Sequence, residues 1–305
     1  MNEKVLIAGG SGLIGRRLTQ HLIKKGYVVR WLTSSSKSER DIKSFRWNYK
    51  TGDIDLAAFD GVDYIFNFAG AGVIDKPWKE SYKKEILESR RGTANLLLKG
   101  IRDLGPGIGE RQIKTYISAS AVGYYGDCGD EIVQEDHVPA NNFLGTTCKS
   151  WEESALEFAQ ARIRTCIIRI GIVLAKEGGA LPGLMRGIKF GFAGYLGSGK
   201  QWYPWIHIDD LCRQFIFLME NENARGIYNG VAPNPVRNKE LIKQISLAKS
   251  GHAIMFPVPE FVLSLMLGSR KVTVLDSCCA TSEKIQKVGF EFEFVESKDA
   301  LSVLI

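Results

Sequence analysis

The sequence predicts an α/β fold in which a doubly wound, mostly parallel sheet carries a smaller C-terminal lobe. Three observations lead to this prediction. The 305-residue chain alternates short apolar runs with stretches of helical periodicity, and its first apolar run passes directly into a glycine cluster and a helix. No repeat of roughly 20 to 50 residues and no low-complexity linker interrupts the pattern. Strands and helices that alternate in this way fold as βαβ units around a parallel sheet.

The first unit of this sheet is residues 4–15, KVLIAGGSGLIG. Residues 5–8 are all apolar, as expected of a strand buried on both faces of a parallel sheet. From Leu13 onward the apolar residues recur at helical spacing until Gly26, which follows two lysines and ends the helix. Strand, glycine turn and helix therefore follow one another in the order that a dinucleotide-binding unit requires.

The spacing of the glycines assigns a separate task to each. Gly10, Gly12 and Gly15 match G-x-G-x-x-G, and Gly9 with the last two matches G-x-x-G-x-x-G, so the first position stays open. One glycine permits the tight turn, one lets the backbone approach a diphosphate, and one lets the helix pack closely on the strand. The helix N-terminus then offers its amides to the phosphates. The residues expected to contact a dinucleotide here are Gly9, Gly10, Ser11, Gly12, Leu13, Ile14 and Gly15. The alternative is a glycine-rich turn that binds nothing.

The second strand, residues 27–32, favours NADP over NAD. An Asp or Glu at the end of this strand holds the adenosine ribose in NAD-binding folds, whereas a basic residue accommodates a 2′-phosphate. No acidic residue occurs between Tyr27 and Ser38. The residues available instead are Thr33, Ser34, Lys37 and Arg40, with Arg16 directly after the last glycine. For Lys37 and Arg40 a solvated loop is the alternative interpretation.

Two further segments are expected at the carboxyl edge of the sheet, where open α/β sheets bind their ligands. VDYIFNFAG is typical of a buried strand, and its last residues Phe68, Ala69 and Gly70 allow a cofactor to lie against the backbone. The helix predicted over residues 79–104 has an apolar face that only Arg90 interrupts. Arg90 either reaches a phosphate or is an ion-paired or snorkelling arginine.

The run KTYISASAVGYYGD predicts a strand over residues 115–118 that continues into hydroxyls and glycines. Its end delivers Ser118, Ser120, Tyr124 and Tyr125 to the same edge as the glycine turn. We expect Ser118 to lie beside the cofactor. The alternatives are strand-end hydrogen bonding for the two serines and packing under the loop for the two tyrosines.

The second half of the chain completes the sheet and builds the lobe. It contains a helix over residues 147–161, the buried strand RTCIIRIGIVL, a helix capped by Asp209 or Asp210, and the core strand GIYNGV. The predicted dinucleotide-binding domain is residues 1–175 and 205–230; the predicted substrate lobe is residues 176–204 and 231–305, with 251–305 as a small C-terminal module.

Composition excludes several classes of protein. Hydrophobic residues at 45% and charged residues at 24% are ordinary for a soluble globular chain, and no apolar run of about 18 residues predicts a membrane span. The charge of +6 comes from scattered residues rather than a basic block, so we expect no nucleic acid. Six cysteines without C-x-x-C and four scattered histidines predict reduced thiols and no metal. Because the chain starts with a buried strand rather than a signal peptide, a cytoplasmic protein is expected.

Together these segments resemble a known superfamily. GGSGLIG, NFAG, SASAVGYYGD, RIGIVL and WIHIDDL are similar to the extended short-chain dehydrogenase/reductases. More narrowly, DKPW, ESR, KSWE, GSGKQWYPWIHIDD and GFEF look like the atypical branch of NAD(P)-binding epimerase-family proteins, which carry a small C-terminal domain of unknown function and are sometimes labelled cell-division inhibitors. The resemblance implies a Rossmann domain that binds NADP or NAD, with the C-terminal lobe over the active site.

The resemblance also implies a catalytic set of Ser, Tyr and Lys. The Tyr and Lys lie four apart on one helix face, and the cationic surroundings lower the pKa of the Tyr so that its phenolate can take a hydroxyl proton. Lys149 matches the Lys, as a catalytic or a ribose-binding residue, but Gly145 stands in the position of the Tyr. Ser120, or Ser118, fills the role of the Ser. The residues left as proton carriers are Tyr124, Tyr125 and, more remotely, Cys148.

Two hypotheses follow from different classes of protein. The first is an oxidoreductase, epimerase or dehydratase that acts on a hydroxyl or keto group of a small molecule, anionic or sugar-like, such as a nucleotide sugar. The second, motivated by Gly145, is a dinucleotide-binding sensor or regulatory protein without catalysis. In either case the helices over residues 79–104 and 147–161 suit a homodimer of the kind the superfamily often forms.

Overall fold

The computed structural model describes residues 3–34, 42–105, 113–186, 188–189 and 192–305, so Lys37 and Arg40 lie outside the described residues. The strands are β1 (Lys4–Ala8), β2 (Val28–Thr33), β3 (Lys43–Asn48), β4 (Asp53–Ile54), β5 (Tyr64–Asn67), β6 (Thr115–Ala121), β7 (Ile132–Val133), β8 (Arg164–Ile170), β9 (Ile172–Ala175), β10 (Gly178–Gly179), β11 (Ile188–Lys189), β12 (Phe192–Leu196), β13 (Trp202–Tyr203), β14 (Trp205–His207), β15 (Gly226–Gly230), β16 (Val236–Arg237), β17 (Ile254–Val258) and β18 (Cys279–Ala280). The α-helices are α1 (Leu13–Lys24), α2 (Glu80–Asp103), α3 (Phe143–Gln160), α4 (Leu181–Arg186), α5 (Ile208–Glu220), α6 (Asn238–Ser250), α7 (Glu260–Leu267), α8 (Val272–Leu275), α9 (Glu283–Lys287) and α10 (Ser297–Leu304).

Eight strands form the main sheet in the order β15-β8-β6-β5-β1-β2-β3-β4. Neighbouring strands are parallel except β3 and β4, which are antiparallel. The chain starts in the middle at β1, moves outward through β2 and β3, and then returns to β5 on the other side of β1. The direction of winding therefore changes between β1 and β5, and a crevice forms outside the carboxyl ends of these strands. The predicted doubly wound sheet is confirmed.

Helices cover both faces of this sheet. Leu6 and Ile7 are adjacent in β1, are both fully buried, and belong to opposite cores. The core of Ile7 includes residues of α1 and α5, and the core of Leu6 includes residues of α2 and α3. Burial on both faces is the reason that β1 is a continuous apolar run rather than an alternating one.

The apolar run RTCIIRIGIVL, predicted as one strand, forms two strands that separate at Gly171. β8 stays in the main sheet, while β9 pairs with β10 and β14 in a sheet of three strands. The Gly171 amide donates to the Gly230 carbonyl at 3.0 Å and the next amide, of Ile172, donates to the Pro204 carbonyl at 2.7 Å. A Cβ on Gly171 would overlap the Pro204 oxygen, so only glycine permits the chain to change sheets here.

The predicted C-terminal lobe contacts the main domain at several points, and two of them lie within residues 279–294. β18 pairs with β7, which belongs to the segment after β6. Asp210 in α5 is fully buried, and its carboxylate accepts hydrogen bonds from the amides of Glu293 at 3.0 Å and Phe294 at 2.8 Å. The segment between these contacts, residues 279–294, is therefore fixed to the sheet domain at both of its ends.

The predicted cap of α5 was wrong. His207 is the N-cap residue, and its Nδ1 accepts from the Asp209 amide at 3.1 Å. The Asp209 carboxylate instead binds Arg17, with Nη2 at 2.7 Å, and His21 at 2.7 Å, which joins α5 to α1. These ionic contacts hold the pKa of Asp209 below its usual value in spite of its burial.

Two further features of the structure concern its cysteines and its helices. The six cysteines are free thiols. Within the described ranges, no helix combines the length and apolar character that crossing a bilayer needs.

Asp210→Ala is expected to lower the free energy of unfolding by about 3 kcal/mol, because two amides lose a charged acceptor and each such bond contributes about 1.5 to 3 kcal/mol. Urea denaturation at pH 7 measures this. The control, Asp103→Ala at the exposed end of α2, should change it by less than about 0.5 kcal/mol. Equal effects of the two substitutions would contradict the anchoring role of Asp210.

Candidate functional site

The turn between β1 and α1 brings backbone segments into direct contact. Gly9 has φ +82°, a conformation that residues with a side chain rarely adopt, and a Cβ there would lie 3.0 Å from the Ala69 nitrogen. A Cβ at Gly15 would lie 2.5 Å from the Gly9 oxygen, and one at Gly10 would overlap the ring of Trp31. Packing inside the protein therefore requires glycine at these three positions.

Gly12 differs because it faces outward. It is exposed, and a Cβ there would meet only the Gly9 oxygen, at 3.3 Å. Gly12 is the N-cap of α1, where no side chain provides a cap hydrogen bond and no acidic residue occupies the first turn. The positive end of the helix dipole and the amides of the first turn thus face the crevice, which is the arrangement that binds phosphate.

The end of β5 forms the opposite wall of the crevice. Asn67 is fully buried; its Oδ1 accepts from the Ala69 amide at 3.2 Å and its Nδ2 donates to the Tyr116 hydroxyl at 3.0 Å. Phe68 is partly buried against Phe215, with ring centroids 4.9 Å apart. These contacts hold the predicted residues Phe68 and Ala69 against the glycine turn.

Arg90 lies behind Gly70, and its guanidinium is almost entirely enclosed, at 8% exposure. Nη1 donates to the carbonyls of Ala71 at 3.0 Å and Ile86 at 2.9 Å, and the guanidinium lies over the Trp151 ring, 4.8 Å from its centroid. Burial lowers the pKa of Arg90. No carboxylate pairs with it among the described residues. Arg90 therefore fixes the loop after β5 and leaves a buried positive charge without a counterion.

The other cofactor candidates are near the ends of α1 and β2. Thr33 is half-buried and Ser34 is exposed. Arg16 borders an open groove of about 550 Å³ that also includes Ser11 and Trp31. In the part of the chain that the structure describes, Arg16 has no acidic partner. Its position beside the glycine turn leaves it available to an anionic group.

A cavity of about 250 Å³ lies between the sheet domain and the C-terminal lobe. The loop after β5 contributes Val73 and Ile74, and the segment after β6 contributes Ala121 and Val122. α3, residues 202–204 and the segment from Val272 to Cys278 line other sides. The polar residues on its wall include Arg90, Thr147, Tyr203, Thr273 and Asp276. The wall is otherwise mostly apolar, so the cavity suits a small ligand with an apolar body.

α3 presents Leu144 and Cys148 to this cavity, four residues apart on one face. Gly145 lies on a different side, where a Cβ would overlap the Ala140 carbonyl oxygen. Lys149 is exposed and lies 4.0 Å from Glu153 on the same helix. Leu144 and Cys148, together with Thr147 and Trp151, line the cavity, whereas the positions selected by the family resemblance, Gly145 and Lys149, do not. Burial raises the pKa of the Cys148 thiol to about 12, so it is neutral at pH 7.

Ser120 is part of a buried ionic network rather than of the cavity wall. Its Oγ donates to Glu152 Oε1 at 2.6 Å. The same carboxylate accepts from Arg169 through Nε at 2.8 Å and Nη2 at 2.9 Å. Both charged residues are almost completely buried. Burial alone would lower the pKa of Arg169, but the contact with Glu152 outweighs it and the pKa is raised.

The two tyrosines belong to the same network. Tyr125 is buried; its hydroxyl donates to Asn229 Oδ1 at 2.7 Å and accepts from Arg169 Nη1 at 2.9 Å. The Arg169 guanidinium lies 3.4 Å from the centroid of the Tyr124 ring. Burial raises the pKa of both phenols, although Arg169 opposes the shift. The structure thus brings Ser120, Tyr124 and Tyr125 together, but around Arg169. A phenol with a raised pKa does not match the low-pKa tyrosine that superfamily catalysis uses.

Ser118 is fully buried within β6, and its Oγ donates to the Ala119 carbonyl at 3.0 Å. It lies beside Asn67 in the register of β5 and β6. The predicted strand end is longer than expected, because β6 continues to Ala121. The first residues that line the cavity on this side are therefore Ala121 and Val122.

Asp276 is a residue of the site that the sequence interpretation missed. It is half-buried on the cavity wall, directly after α8. Burial, followed by the nearby charge of Asp127, raises the pKa of its carboxyl to about 6. No sequence motif surrounds this acidic residue in the amphipathic tail. Its place on the cavity wall is therefore evident only from how the C-terminal lobe packs in the structure.

The fold and this crevice define an NAD(P)-binding Rossmann protein of the extended short-chain dehydrogenase/reductase type. Residues 5–229 match the NAD dependent epimerase/dehydratase family, and residues 258–304 match a domain of unknown function, DUF1731. The chain belongs to the NAD dependent epimerase/dehydratase family.

Individual relatives agree with this assignment. An Arabidopsis thaliana chloroplastic homolog of epimerase family protein SDR39U1 is 34% identical over 99% of this chain and 86% of its own length. A Staphylococcus aureus epimerase family protein is 32% identical over 99% of both chains. The crystal structure of human SDR39U1 with NADPH superposes with a TM-score of 0.85 at 28% identity, over 99% of this chain and 98% of the human one.

Glu152→Ala is expected to lower the free energy of unfolding by about 3 to 5 kcal/mol, because it leaves the buried Arg169 guanidinium without its carboxylate. Thermal and urea denaturation measure the loss. The next residue gives a matched control, since Glu153→Ala removes only an exposed contact and should change stability by less than about 1 kcal/mol. A small effect at both positions would show that the network does not stabilise the fold.

Proposed function

We propose that this chain is an NADP(H)-binding oxidoreductase or epimerase-like enzyme that acts on a hydroxyl or keto group held in the cavity beside α3. One observation carries the proposal: the glycine turn and the end of β5 approach each other at the point where the sheet changes direction, and the loop that follows β5 also lines a mostly apolar cavity. When bound, the dinucleotide would supply or accept a hydride. The first turn of α1 would hold its diphosphate, and Phe68, Ala69 and Gly70 would lie along it.

NADP is favoured over NAD for two reasons. The human relative SDR39U1 was crystallised with NADPH. In this chain Arg16 adjoins the glycine turn with no acidic partner among the described residues, and β2 ends in Thr33 and Ser34 rather than in an acid. A 2′-phosphate would therefore meet hydroxyls and a cation rather than a carboxylate, with Lys37 as a further candidate.

The substrate is inferred from the shape and lining of the cavity. A mostly apolar space of about 250 Å³ favours a small carbonyl or hydroxyl compound with an apolar body. The buried charge of Arg90 on the same wall would bind an oxygen or an anionic group of that compound, or of the cofactor. A nucleotide sugar is the second candidate, because a relative from Corynebacterium glutamicum at 28% identity is named as a nucleoside-diphosphate sugar epimerase.

A non-catalytic sensor is the alternative function, and one observation favours it. The four residues of α3 that line the cavity are Leu144, Thr147, Cys148 and Trp151, and none of these side chains supplies the phenol and ammonium groups of the superfamily. Such a protein would bind the dinucleotide and change its affinity for a partner without turnover. Loss of NADPH absorbance with small aldehydes and ketones distinguishes the two functions, because only an enzyme consumes NADPH in proportion to product.

Two further expectations accompany the proposal. Six free thiols suit a reducing compartment such as the cytoplasm, although the Arabidopsis relative is named as chloroplastic. A homodimer through α2 and α3 stays a prediction.

Gly12→Ala is expected to weaken NADPH binding at least about tenfold, equivalent to about 1.4 kcal/mol, because its methyl group would occupy the approach of the diphosphate. The fold should survive, since the new Cβ meets only one atom, at 3.3 Å. Calorimetric titration with NADPH, NADP, NADH and NAD measures the affinities, and thermal denaturation checks the fold.

Gly183→Ala is the matched control, because a Cβ at Gly183 meets no atom within 4 Å. It should leave the affinity for NADPH unchanged. Unchanged binding by Gly12→Ala, or no binding of any of the four dinucleotides to the unsubstituted protein, would contradict the proposed site.

A further inference from the structure

We propose that Asp276 is the catalytic residue that transfers the proton in the cavity. In the direction of reduction, the substrate carbon gains a hydride from the reduced nicotinamide and forms a C–H bond. The carbonyl oxygen takes the proton of the Asp276 carboxyl group and forms an O–H bond. The carboxylate then regains a proton from water, and in the direction of oxidation it accepts the hydroxyl proton. This inference rests on the proposed function and adds to it the residue that replaces the absent tyrosine.

The ionisable groups on the described wall of the cavity lead to this choice by elimination. They are Arg90, Cys148, Tyr203, Asp276 and Cys278. Burial raises the pKa of Cys148, Tyr203 and Cys278 far above neutrality, so these groups keep their protons. Tyr203 in addition donates its hydroxyl to the Val274 carbonyl at 2.7 Å. Arg90 is already bound to two carbonyls and remains a cation at neutral pH. Asp276 is the group of this set that changes its protonation state near pH 6.

The backbone holds Asp276 in a fixed position on the wall. Its amide donates to the Val272 carbonyl at 3.1 Å, and the following amide, of Ser277, donates to Asp127 Oδ1 at 3.0 Å. The Ser277 hydroxyl also donates to the Gly129 carbonyl, at 2.5 Å. In contrast, the Asp276 carboxyl group makes no hydrogen bond or ion pair to any residue that the structure describes. A fixed backbone with an unpaired carboxyl group at an apolar cavity is suited to a ligand oxygen as its partner.

The groups that face Asp276 explain why the pKa of its carboxyl group is raised. Asp127 raises its pKa through charge repulsion, after burial, and the thiols of Cys128 and Cys278 interact with it electrostatically. Both thiols have raised pKa values and stay neutral. Arg90 lines the same cavity but makes no ion pair with Asp276. With a pKa of about 6, the carboxyl group is the acid below that pH and the base above it.

The test compares the unsubstituted protein with Asp276→Asn and with the control Asp299→Asn, an exposed acid of the same lobe. NADPH oxidation is followed with benzaldehyde, acetophenone and cyclohexanone. Asp276→Asn should lower kcat at least about 100-fold and leave the affinity for NADPH unchanged, as expected for loss of general acid catalysis. Asp299→Asn should leave both unchanged. Normal kcat in Asp276→Asn would overturn the proposal.

The pH profile provides a second readout. In the unsubstituted protein kcat for reduction should fall as the pH rises through about 6, because the acid form is lost. The rate of alcohol oxidation should rise over the same range, because the base form is gained. Asp276→Asn should abolish this titration. A profile that Asp276→Asn retains would assign the proton to another group and overturn the proposal.

A binding measurement separates failure of this proposal from failure of the proposed function. If NADPH binds but no compound is turned over, the proposed enzyme activity fails, and the carbonyl carbon NMR signal of labelled cyclohexanone then decides the role of Asp276. A hydrogen bond from the acid form should move this signal downfield below pH 6 in the unsubstituted protein and not in Asp276→Asn. The absence of such a shift, or the same shift in both proteins, would overturn the proposal.

Stability distinguishes this role from a structural one. An acid whose folded pKa is raised destabilises the fold at pH values above its folded pKa, and the effect disappears below its unfolded pKa. Asp276→Asn should therefore raise Tm at pH 8, by an amount that shrinks as the pH falls from 6 towards 4. A lower Tm at pH 8 would show that Asp276 stabilises the lobe, contrary to the proposal.

Discussion

The close approach of backbone segments at the glycine turn is the constraint on which the rest of this structure depends. Gly9 is in contact with Ala69, and Gly15 with the Gly9 carbonyl, so β1, β5 and α1 meet without intervening side chains. Because β1 and β5 are also the strands between which the winding changes direction, this contact sets the width of the crevice. The asymmetry among the glycines follows: three are required by internal packing, and Gly12 is required only by what would bind outside.

Much of the fold follows from local patterns, and its departures have local reasons. Residues 5–8 are predictable because a strand buried on both faces must be apolar throughout. The division of the run RTCIIRIGIVL at Gly171 is not predictable, because two successive buried strands have the same apolar pattern as one long strand. α3 begins four residues earlier than expected, although Asn142, whose side chain accepts from the Gly145 amide at 2.8 Å, is a capping signal that the sequence contains.

The glycine turn of the candidate site is predictable from the sequence and the cavity is not, because the two depend on different features of the chain. Phosphate recognition relies on backbone amides, whose positions follow from glycine spacing. The lining of the cavity depends on which face of α3 is buried and on where residues 272–278 pack against the sheet domain. Short sequence patterns determine neither. Lys149 and Cys148 are neighbours in the chain, yet one pairs with Glu153 in solvent and the other lines the cavity. Asp276 lies 127 residues beyond Lys149 and reaches the cavity only through tertiary packing.

The attachment of the C-terminal lobe at several separate points has a consequence for how a ligand enters. β18 pairs with β7, and Asp210 accepts hydrogen bonds from the amides of Glu293 and Phe294. These contacts hold the lobe at separate points and therefore oppose its rotation about a single hinge. An opening movement of the whole lobe would have to break these contacts at the same time. Entry at the rim of the cavity would break fewer contacts. There, Arg270 Nη1 donates to the carbonyl of the exposed Ile74 at 2.8 Å. Loss of that hydrogen bond would widen the opening of the cavity while the lobe stays attached to the sheet domain.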